Sequence, residues 1–253
     1  MLWYRHWLET RWRFFIGLAL LVAFSAMMVL TEPLVGSALE NFQDPGGRIG
    51  EFLREQVETA KTYDGYVWQQ WFSKNLLMGW ILLATLIGVG GIVTESSRGT
   101  ALFTLSLPVT RRRLLAVRAA TGAIELALLA LVPSLLIPLF SLAIGESYSL
   151  AKTIVYVLLT ILGGAVFYAL SILLSTIFSD QMKPIIIGIA VAFILSTVTI
   201  FFKEFAPYSI LNVMSGGSYF RTGELPWLGL AISLALAGAM FYLSLRIVER
   251  RDF

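Results

Sequence analysis

Long apolar stretches with almost no charged residue constrain this chain more than any other feature of its sequence. Only 14% of the 253 residues are charged, whereas a soluble domain carries about 25%. Each stretch approaches the roughly 20 residues with which an α-helix crosses about 30 Å of hydrocarbon. We therefore expect an all-α membrane protein, a single transmembrane domain over residues 1–253, with no soluble domain of useful size.

Six transmembrane helices are predicted, with ends set to within a few residues. They cover about residues 14–30, 76–93, 114–142, 151–174, 184–202 and 227–248. An even number places both termini on one side of the membrane. That side, with residues 94–113, Arg118 and residues 175–183, carries twelve Lys and Arg, against seven on the other. The positive-inside rule therefore predicts cytoplasmic termini and an extracytoplasmic loop at residues 31–75.

Amphipathic segments flank the first predicted span. Residues 1–13 alternate aromatic rings with arginines, which favours an interfacial helix on the cytoplasmic face; an extension of the first span is the alternative. In the outer loop, an apolar stripe from Ile49 to Val57 predicts a second surface helix. An aromatic belt is predicted after it, at Tyr63, Tyr66, Trp68, Trp71 and Phe72. Membrane anchoring is the expected role of this region, with substrate gating or partner docking as the alternative.

Several classes of site are disfavoured by the residues themselves. The chain has no cysteine and a single histidine, His6, which excludes thiolate sites and leaves no basis for a His-based metal centre or a Ser–His–Asp triad. The glycines of segment 88–91 are not followed by Lys-Ser or Lys-Thr, so this is no phosphate-binding loop and the chain is not expected to hydrolyse ATP. Close helix packing explains these small residues better. The adjacent Met27 and Met28 fit ordinary packing better than a copper path.

The segment that joins the second and third spans is amphipathic, and we expect a short cytoplasmic helix over residues 94–108. Thr94 is a favourable N-cap, and Glu95 suits the positive end of the helix dipole. Leu102 and Leu105 lie on the apolar face, and Pro108 ends the helix.

A cluster of three arginines begins the third span. Thr110 can cap this span, and Arg111, Arg112 and Arg113 fall in its first turn. Near anionic headgroups each arginine gains about 1 kcal/mol, which offsets the unfavourable helix-dipole term. We interpret the cluster as a determinant of topology and lipid contact. The later outer segment 203–226 is rich in Gly and Pro, which fits a plain loop or a re-entrant element equally well.

Glu125 is the sharpest polar feature inside a span. It lies about 16 Å along the helix from Leu114, near the middle of the bilayer. A charge there costs about 2.5–3.5 kcal/mol, so the carboxyl should face protein or a water-filled cavity, or be protonated. A role in the transport pathway or gating is one interpretation. A structural hydrogen bond to another helix, or a depth that differs by a turn, is the other. Pro133 and Pro138 are expected to bend the same span.

The loop after the second span resembles a known family. The residues that carry the resemblance are Glu95, Gly99, Thr100, Ser106, Pro108, Val109, Thr110, Arg111–Arg113 and Leu114–Leu115. This pattern, the six-span plan and the ending Val248–Phe253 are similar to the permease subunits of ABC-2-type transporters. The resemblance covers essentially the whole chain.

The resemblance implies a mechanism. In that family two six-span subunits pair, as a homodimer or heterodimer, and each is bound by a cytoplasmic ATPase subunit. The helix after the second span is the coupling helix, which sits in a cleft of the ATPase. Carried onto this chain, the ATPase contacts are Glu95, Arg98, Gly99, Thr100, Leu102 and Leu105, with Asp180 and Lys183 in a second, smaller contact.

Three functions follow as hypotheses. The favoured one is the non-catalytic membrane subunit of an ABC exporter in a prokaryotic cytoplasmic membrane. No cofactor is expected on this chain; ATP and Mg²⁺ belong to the partner ATPase, the other partners are a second permease subunit and lipid, and no nucleic-acid partner is expected. The alternatives are a structural or regulatory membrane protein that docks a cytoplasmic partner and, less favoured, an intramembrane enzyme. Composition weakly favours a hydrophobic or amphipathic substrate.

Overall fold

The computed structural model describes residues 2–40, 54, 56–90, 110–178, 180–201 and 208–250. Within these ranges the regular structure is helical, without a strand. The elements are α1 (Leu2–Glu40), α2 (Tyr63–Val67), a π-helical segment (Trp68–Asn75), α3 (Leu76–Gly88), α4 (Arg111–Ala143), α5 (Leu150–Ile177), α6 (Met182–Phe201), α7 (Ile210–Ser215), α8 (Gly217–Thr222) and α9 (Trp227–Arg250).

The long helices confirm an all-α, multi-pass membrane fold. Five stretches among the described residues are long and apolar enough to cross a membrane: Leu2–Val35, Tyr63–Gly88, Arg111–Ala143, Leu150–Ile177 and Trp227–Arg250. The predicted span at residues 184–202 coincides with α6, in which Met182–Val198 is a shorter apolar stretch. A total of six spans therefore stays a prediction.

The N-terminal segment differs from the separate interfacial helix that its composition favoured. Residues 2–13 are the first turns of α1, a single helix of 39 residues. His6 and Thr10 are buried inside the bundle, so this segment packs on other helices instead of lying apart on the surface. The continuous helix favours the alternative, an extension of the first span, and the position of residues 1–13 relative to the membrane surface stays a prediction. Within the predicted outer loop, residues 31–75, α1 continues to Glu40 and helical structure resumes before Tyr63.

Side-chain contacts define two ends of the bundle. At the first, which we call the arginine end, Arg112 at the start of α4 pairs with Glu249 at the end of α9, and Arg13 of α1 reaches the last turn of α3. At the opposite, aromatic end, the Tyr63 hydroxyl lies 2.6 Å from Ser141 Oγ near the end of α4. Helix ends that the charge count assigned to one side thus lie together; which side is cytoplasmic stays a prediction.

Small residues allow α3 to pack closely on its neighbours. A Cβ atom at Gly17 of α1 would lie 2.6 Å from Leu83 Cδ2 of α3, and one at Gly79 of α3 would lie 2.8 Å from Leu21 Cδ2 of α1. Each leucine therefore fills the space that the glycine on the other helix leaves open. Lipid tails are as apolar as leucine, so such close van der Waals packing, rather than hydrophobic burial, drives helices together in a bilayer.

The predicted aromatic belt is mostly wrong, because its rings point into the bundle. Trp71 and Phe72 are both 0% exposed, and Tyr66 is buried as well. Their polar atoms find partners on other helices: Trp71 Nε1 donates to Ser134 Oγ at 2.9 Å, and the Tyr66 hydroxyl donates to the Met28 carbonyl at 2.9 Å. These hydrogen bonds join the α2–α3 region to α4 and α1.

The segment after α6 supports the re-entrant alternative over a plain loop. α7 is buried against α5, where Thr160 Oγ1 donates to the Met214 carbonyl at 3.0 Å. Thr160 lies about 15 Å along α5 from Leu150, so α7 dips well into the bundle. Gly216, at φ +66°, separates α7 from α8, and a Cβ there would lie 2.6 Å from Tyr156 Cδ1. Only glycine satisfies both conditions without strain.

The close contact between α3 and α5 leads to a prediction about the stability of the fold. Trp80 is almost fully buried, and a Cβ atom at Gly164 would lie 2.3 Å from its ring. We expect Gly164→Ala to lower the free energy of unfolding by about 1–3 kcal/mol through overpacking. Gly238→Ala is the matched control, since nothing lies within 4 Å of a Cβ there. Thermal unfolding in detergent micelles measures both variants, and equal midpoints would contradict this packing.

Candidate functional site

Two arginines meet the C-terminal end of α3 at the arginine end of the bundle. Arg13 Nη1 of α1 donates to the Leu86 carbonyl at 2.6 Å, and Arg118 Nη2 of α4 donates to the Val89 carbonyl at 2.6 Å. The last carbonyl groups of a helix have no partner within the helix and carry its partial negative charge. Hydrogen bonds from a charged donor are about twice as strong as neutral ones. The two guanidinium groups therefore fasten α3 to both α1 and α4.

Glycines of segment 88–91, for which close helix packing is expected, make room for this contact. Gly90 has φ +120°, and a Cβ there would lie 2.3 Å from Arg118 Nη2. A Cβ at Gly88 would lie 2.6 Å from Ser171 Oγ of α5. Ser171 Oγ in turn donates to the Thr85 carbonyl at 2.9 Å. The end of α3 is thus enclosed on three sides, by α1, α4 and α5.

Glu125 faces protein, in agreement with the sequence analysis. It is 2% exposed, and its Oε1 lies 2.5 Å from Thr10 Oγ1 of α1. Its Oε2 is buried without a hydrogen-bond partner among the described residues, as is Nε2 of His6. The carboxyl therefore joins α4 to α1 through one hydroxyl group, which fits the structural interpretation of this residue.

The hydrogen atoms available at Thr10 limit how this contact can be made. Thr10 Oγ1 also lies 3.2 Å from the His6 carbonyl, which can only accept. A hydroxyl group has one hydrogen, so Thr10 cannot donate to both oxygen atoms. The His6 carbonyl lies within α1, where it accepts the backbone N–H four residues later, so the Thr10 hydrogen is available to Glu125 Oε1.

Tyr168 of α5 closes the cluster on the remaining side. Its hydroxyl donates to the Ala119 carbonyl of α4 at 3.0 Å, next to Arg118. A Cβ atom at Gly122 would lie 2.2 Å from that hydroxyl oxygen. Arg118, Gly122 and Glu125 therefore follow one another along α4, each against a different neighbouring helix. We call Thr10, Arg13, Arg118, Glu125 and Tyr168 the polar cluster.

The predicted start of the third span is confirmed in its local details. Thr110 Oγ1 accepts from the Arg113 backbone N–H at 3.4 Å and caps α4, whose first turn holds Arg111, Arg112 and Arg113. Arg112 also has a role that the sequence did not indicate: its Nη2 donates to Glu249 Oε2 at 2.7 Å. This ion pair ties the start of α4 to the end of α9. Topology and lipid contact stay the predicted roles of the cluster.

The predicted ATPase contacts fall in two groups. Glu95, Arg98, Gly99, Thr100, Leu102 and Leu105 lie outside the described residues, as does the whole segment 91–109. Asp180 and Lys183 are exposed at the junction of α5 and α6. Asp180 Oδ1 accepts from the Met182 backbone N–H at 3.0 Å, and Lys183 Nζ lies 5.8 Å from the Phe178 ring centroid. Both are accessible from the arginine end.

Sequence reasoning missed most of the polar cluster. Arg118 was counted only as a topology charge, although it lies seven positions after Arg111 and thus about 10 Å inside the helix. A charge at that depth needs a partner in the protein, which is a signal the sequence does contain. Thr10, Arg13 and Tyr168 carry no such signal, because their partners lie on other helices.

The arrangement can transmit displacement. Segment 91–109 begins where Arg13 and Arg118 hold the end of α3, and it ends where Thr110 caps α4. A force on this segment would act on α3 and α4 directly and on α1 through Arg13 and Glu125. The polar cluster is therefore suited to carry movement from one surface of the bundle into three of its helices.

Comparison with known proteins agrees with this picture. The sequence model of a family described as ABC-2 family transporter protein matches residues 9–218. The match begins within α1, includes segment 91–109 and ends in α8. No curated protein and no solved structure was found to match the chain.

The contact between Thr10 and Glu125 makes a testable prediction. We expect Glu125→Ala to lower the free energy of unfolding by about 1–3 kcal/mol, because it removes the link to α1 and leaves the Thr10 hydroxyl group without its partner on α4. Glu125→Gln should cost less than half as much, since the amide oxygen can still accept from Thr10 Oγ1. Unfolding in detergent micelles measures the difference. If Gln costs as much as Ala, the hydrogen bond from Thr10 to residue 125 does not stabilise the fold.

Proposed function

This chain belongs to the ABC-2 family of transporter proteins, and we propose that it is the membrane-spanning permease subunit of an ATP-driven exporter. As a member of that family with five membrane-length apolar helices, it is an integral, multi-pass membrane transport subunit. Under the proposal, two such subunits pair around the translocation pathway. Each receives force from a separate cytoplasmic ATPase subunit.

The family match over residues 9–218 carries this proposal. The geometry of the arginine end supports it. Both flanks of segment 91–109 are fastened to the bundle, by Arg13 and Arg118 on one side and by the cap of Thr110 on the other. A coupling helix at residues 94–108 would thus act on α1, α3 and α4 together. Asp180 and Lys183 would form the second contact with the ATPase.

Hydrolysis of ATP belongs to the partner in this proposal. Segment 88–91 lacks the Lys-Ser or Lys-Thr that a phosphate-binding loop requires, and Gly88 and Gly90 are used for packing instead. ATP and Mg²⁺ would therefore be held on the ATPase chain. The permease would respond to closure of the ATPase dimer by a change in helix arrangement.

Association with an ATPase is the first test. The full-length chain, co-expressed with the ATPase encoded beside its gene, is expected to co-purify with it in detergent and to modulate its ATP hydrolysis after reconstitution. A chain that reaches the membrane intact yet binds no nucleotide-binding subunit would count against the transporter proposal and favour the docking alternative.

The predicted coupling helix allows a sharper test. Glu95→Ala and Arg98→Ala are expected to reduce transport-coupled ATP hydrolysis at least about tenfold, as loss of a charge-assisted contact of about 1.4 kcal/mol or more would do. Lys61→Ala is the control, because Lys61 is exposed near the aromatic end and should leave coupling unchanged. Membrane insertion is checked for all three variants. Wild-type coupling in the Glu95 and Arg98 variants would contradict the contact assignment.

A further inference from the structure

A polar cavity lies at the aromatic end, on the far side of the bundle from the polar cluster. Its volume is about 330 Å³. The π-helical segment forms one wall with Trp68, Gln69, Ser73 and Lys74, and α8 forms another with Phe220 and Arg221. The remaining lining residues, Gln56 and Thr59, precede α2. Nothing in the proposed coupling mechanism uses this cavity.

The π geometry brings the polar side chains to one face. In this segment the Leu76 backbone N–H bonds to the Trp71 carbonyl, five residues back, which widens each turn. Trp71 and Phe72 point into the core, whereas Gln69, Ser73 and Lys74 line the cavity. Short π segments inside helices occur frequently at functional sites.

The chemistry of the lining favours an anion. Lys74 and Arg221 each place a positively charged group in the lining. Gln69, only 6% exposed, is held in place by the hydrogen bond of its Nε2 to Gln56 Oε1. The hydroxyl groups of Thr59 and Ser73 add further donors. A phosphate group, with several acceptor oxygens and a negative charge, matches this set of donors.

The position of the cavity favours a lipid as the source of that phosphate. Trp68 and Phe220 stack with ring centroids 4.2 Å apart and add an apolar edge to the polar lining. Arg221 also lines a neighbouring cavity together with Trp227, the first residue of α9, which is 71% exposed. Exposed tryptophan at the end of a membrane-spanning helix is typical of the headgroup level. The cavity therefore opens where phospholipid headgroups lie.

We propose that this cavity binds the phosphate group of an anionic phospholipid, with Lys74 and Arg221 as the charged contacts and Gln69 and Ser73 as hydrogen-bond donors. The site is independent of the ATPase-coupling proposal, since it lies at the opposite end of the bundle. Bound lipid would bridge the π-helical segment to α8. It would thereby stabilise the position of the re-entrant pair α7 and α8 against α5.

Thermal unfolding of the purified full-length chain in detergent tests the site. Phosphatidylglycerol at about 100 times its dissociation constant is expected to raise the midpoint by about 5–10 °C, and phosphatidylcholine should have a much smaller effect. Lys74→Gln and Arg221→Gln should each weaken phosphatidylglycerol binding by about tenfold to a hundredfold. Lys61→Gln should bind as the wild type does, because Lys61 does not line the cavity.

Glycerol phosphate separates the two possible sources of the anion. If it raises the midpoint as much as the lipid does, and only in chains with Lys74 and Arg221, the anion site stands and its ligand is a soluble phosphate ester. If neither ligand shifts the midpoint, or if the shift survives in both glutamine variants, the site is wrong. ATPase association is measured on the same variants. It should be unchanged, so failure here is distinguishable from failure of the transporter proposal.

Discussion

The carbonyl groups at the C-terminal end of α3 are the constraint on which the arginine end depends. A helix that ends inside a bundle must find donors for its last carbonyls, because an unsatisfied polar group in a low-dielectric interior costs several kcal/mol. Arg13 and Arg118 supply those donors from two different helices. These hydrogen bonds fix the positions of α1 and α4 relative to α3, and they bring two cations to the start of segment 91–109, which contains the proposed coupling helix.

Local patterns predicted the helices well, and contacts between helices decided what was missed. Four predicted spans agree with α4, α5, α6 and α9 to within about three residues, and Thr110 caps α4 as expected. The aromatic belt was mostly wrong because a run of Trp and Tyr suits the headgroup level or a buried site with hydrogen-bond partners equally well. For Trp71, the hydrogen-bond partner in the buried site is Ser134, which is 63 residues away in the sequence. No local pattern contains that information.

Two predictions about depth in the membrane conflict with each other in the structure. One placed residues 1–13 on the membrane surface, and the other placed Glu125 near the middle of the bilayer. The hydrogen bond between Thr10 and Glu125 puts both residues at the same depth. Because α1 is continuous from Leu2, its N-terminal turns accompany α4 along the bundle, and the depth assigned to either residue from its own span alone was incomplete. The depth of a residue in the membrane therefore depends on the helix that it contacts as well as on its own helix.

The joined helix ends limit how the bundle can respond to force at segment 91–109. To move α3 alone, two charge-assisted hydrogen bonds of about 1.5–3 kcal/mol each would have to break. Moving α1, α3 and α4 together breaks neither, and it also preserves the contact between Thr10 and Glu125. Ser171 and Tyr168 of α5 also donate to Thr85 of α3 and Ala119 of α4, so the lower-energy response keeps α5 together with these three helices. The packing thus favours transmission of a displacement across the bundle over local absorption of it at the end of α3.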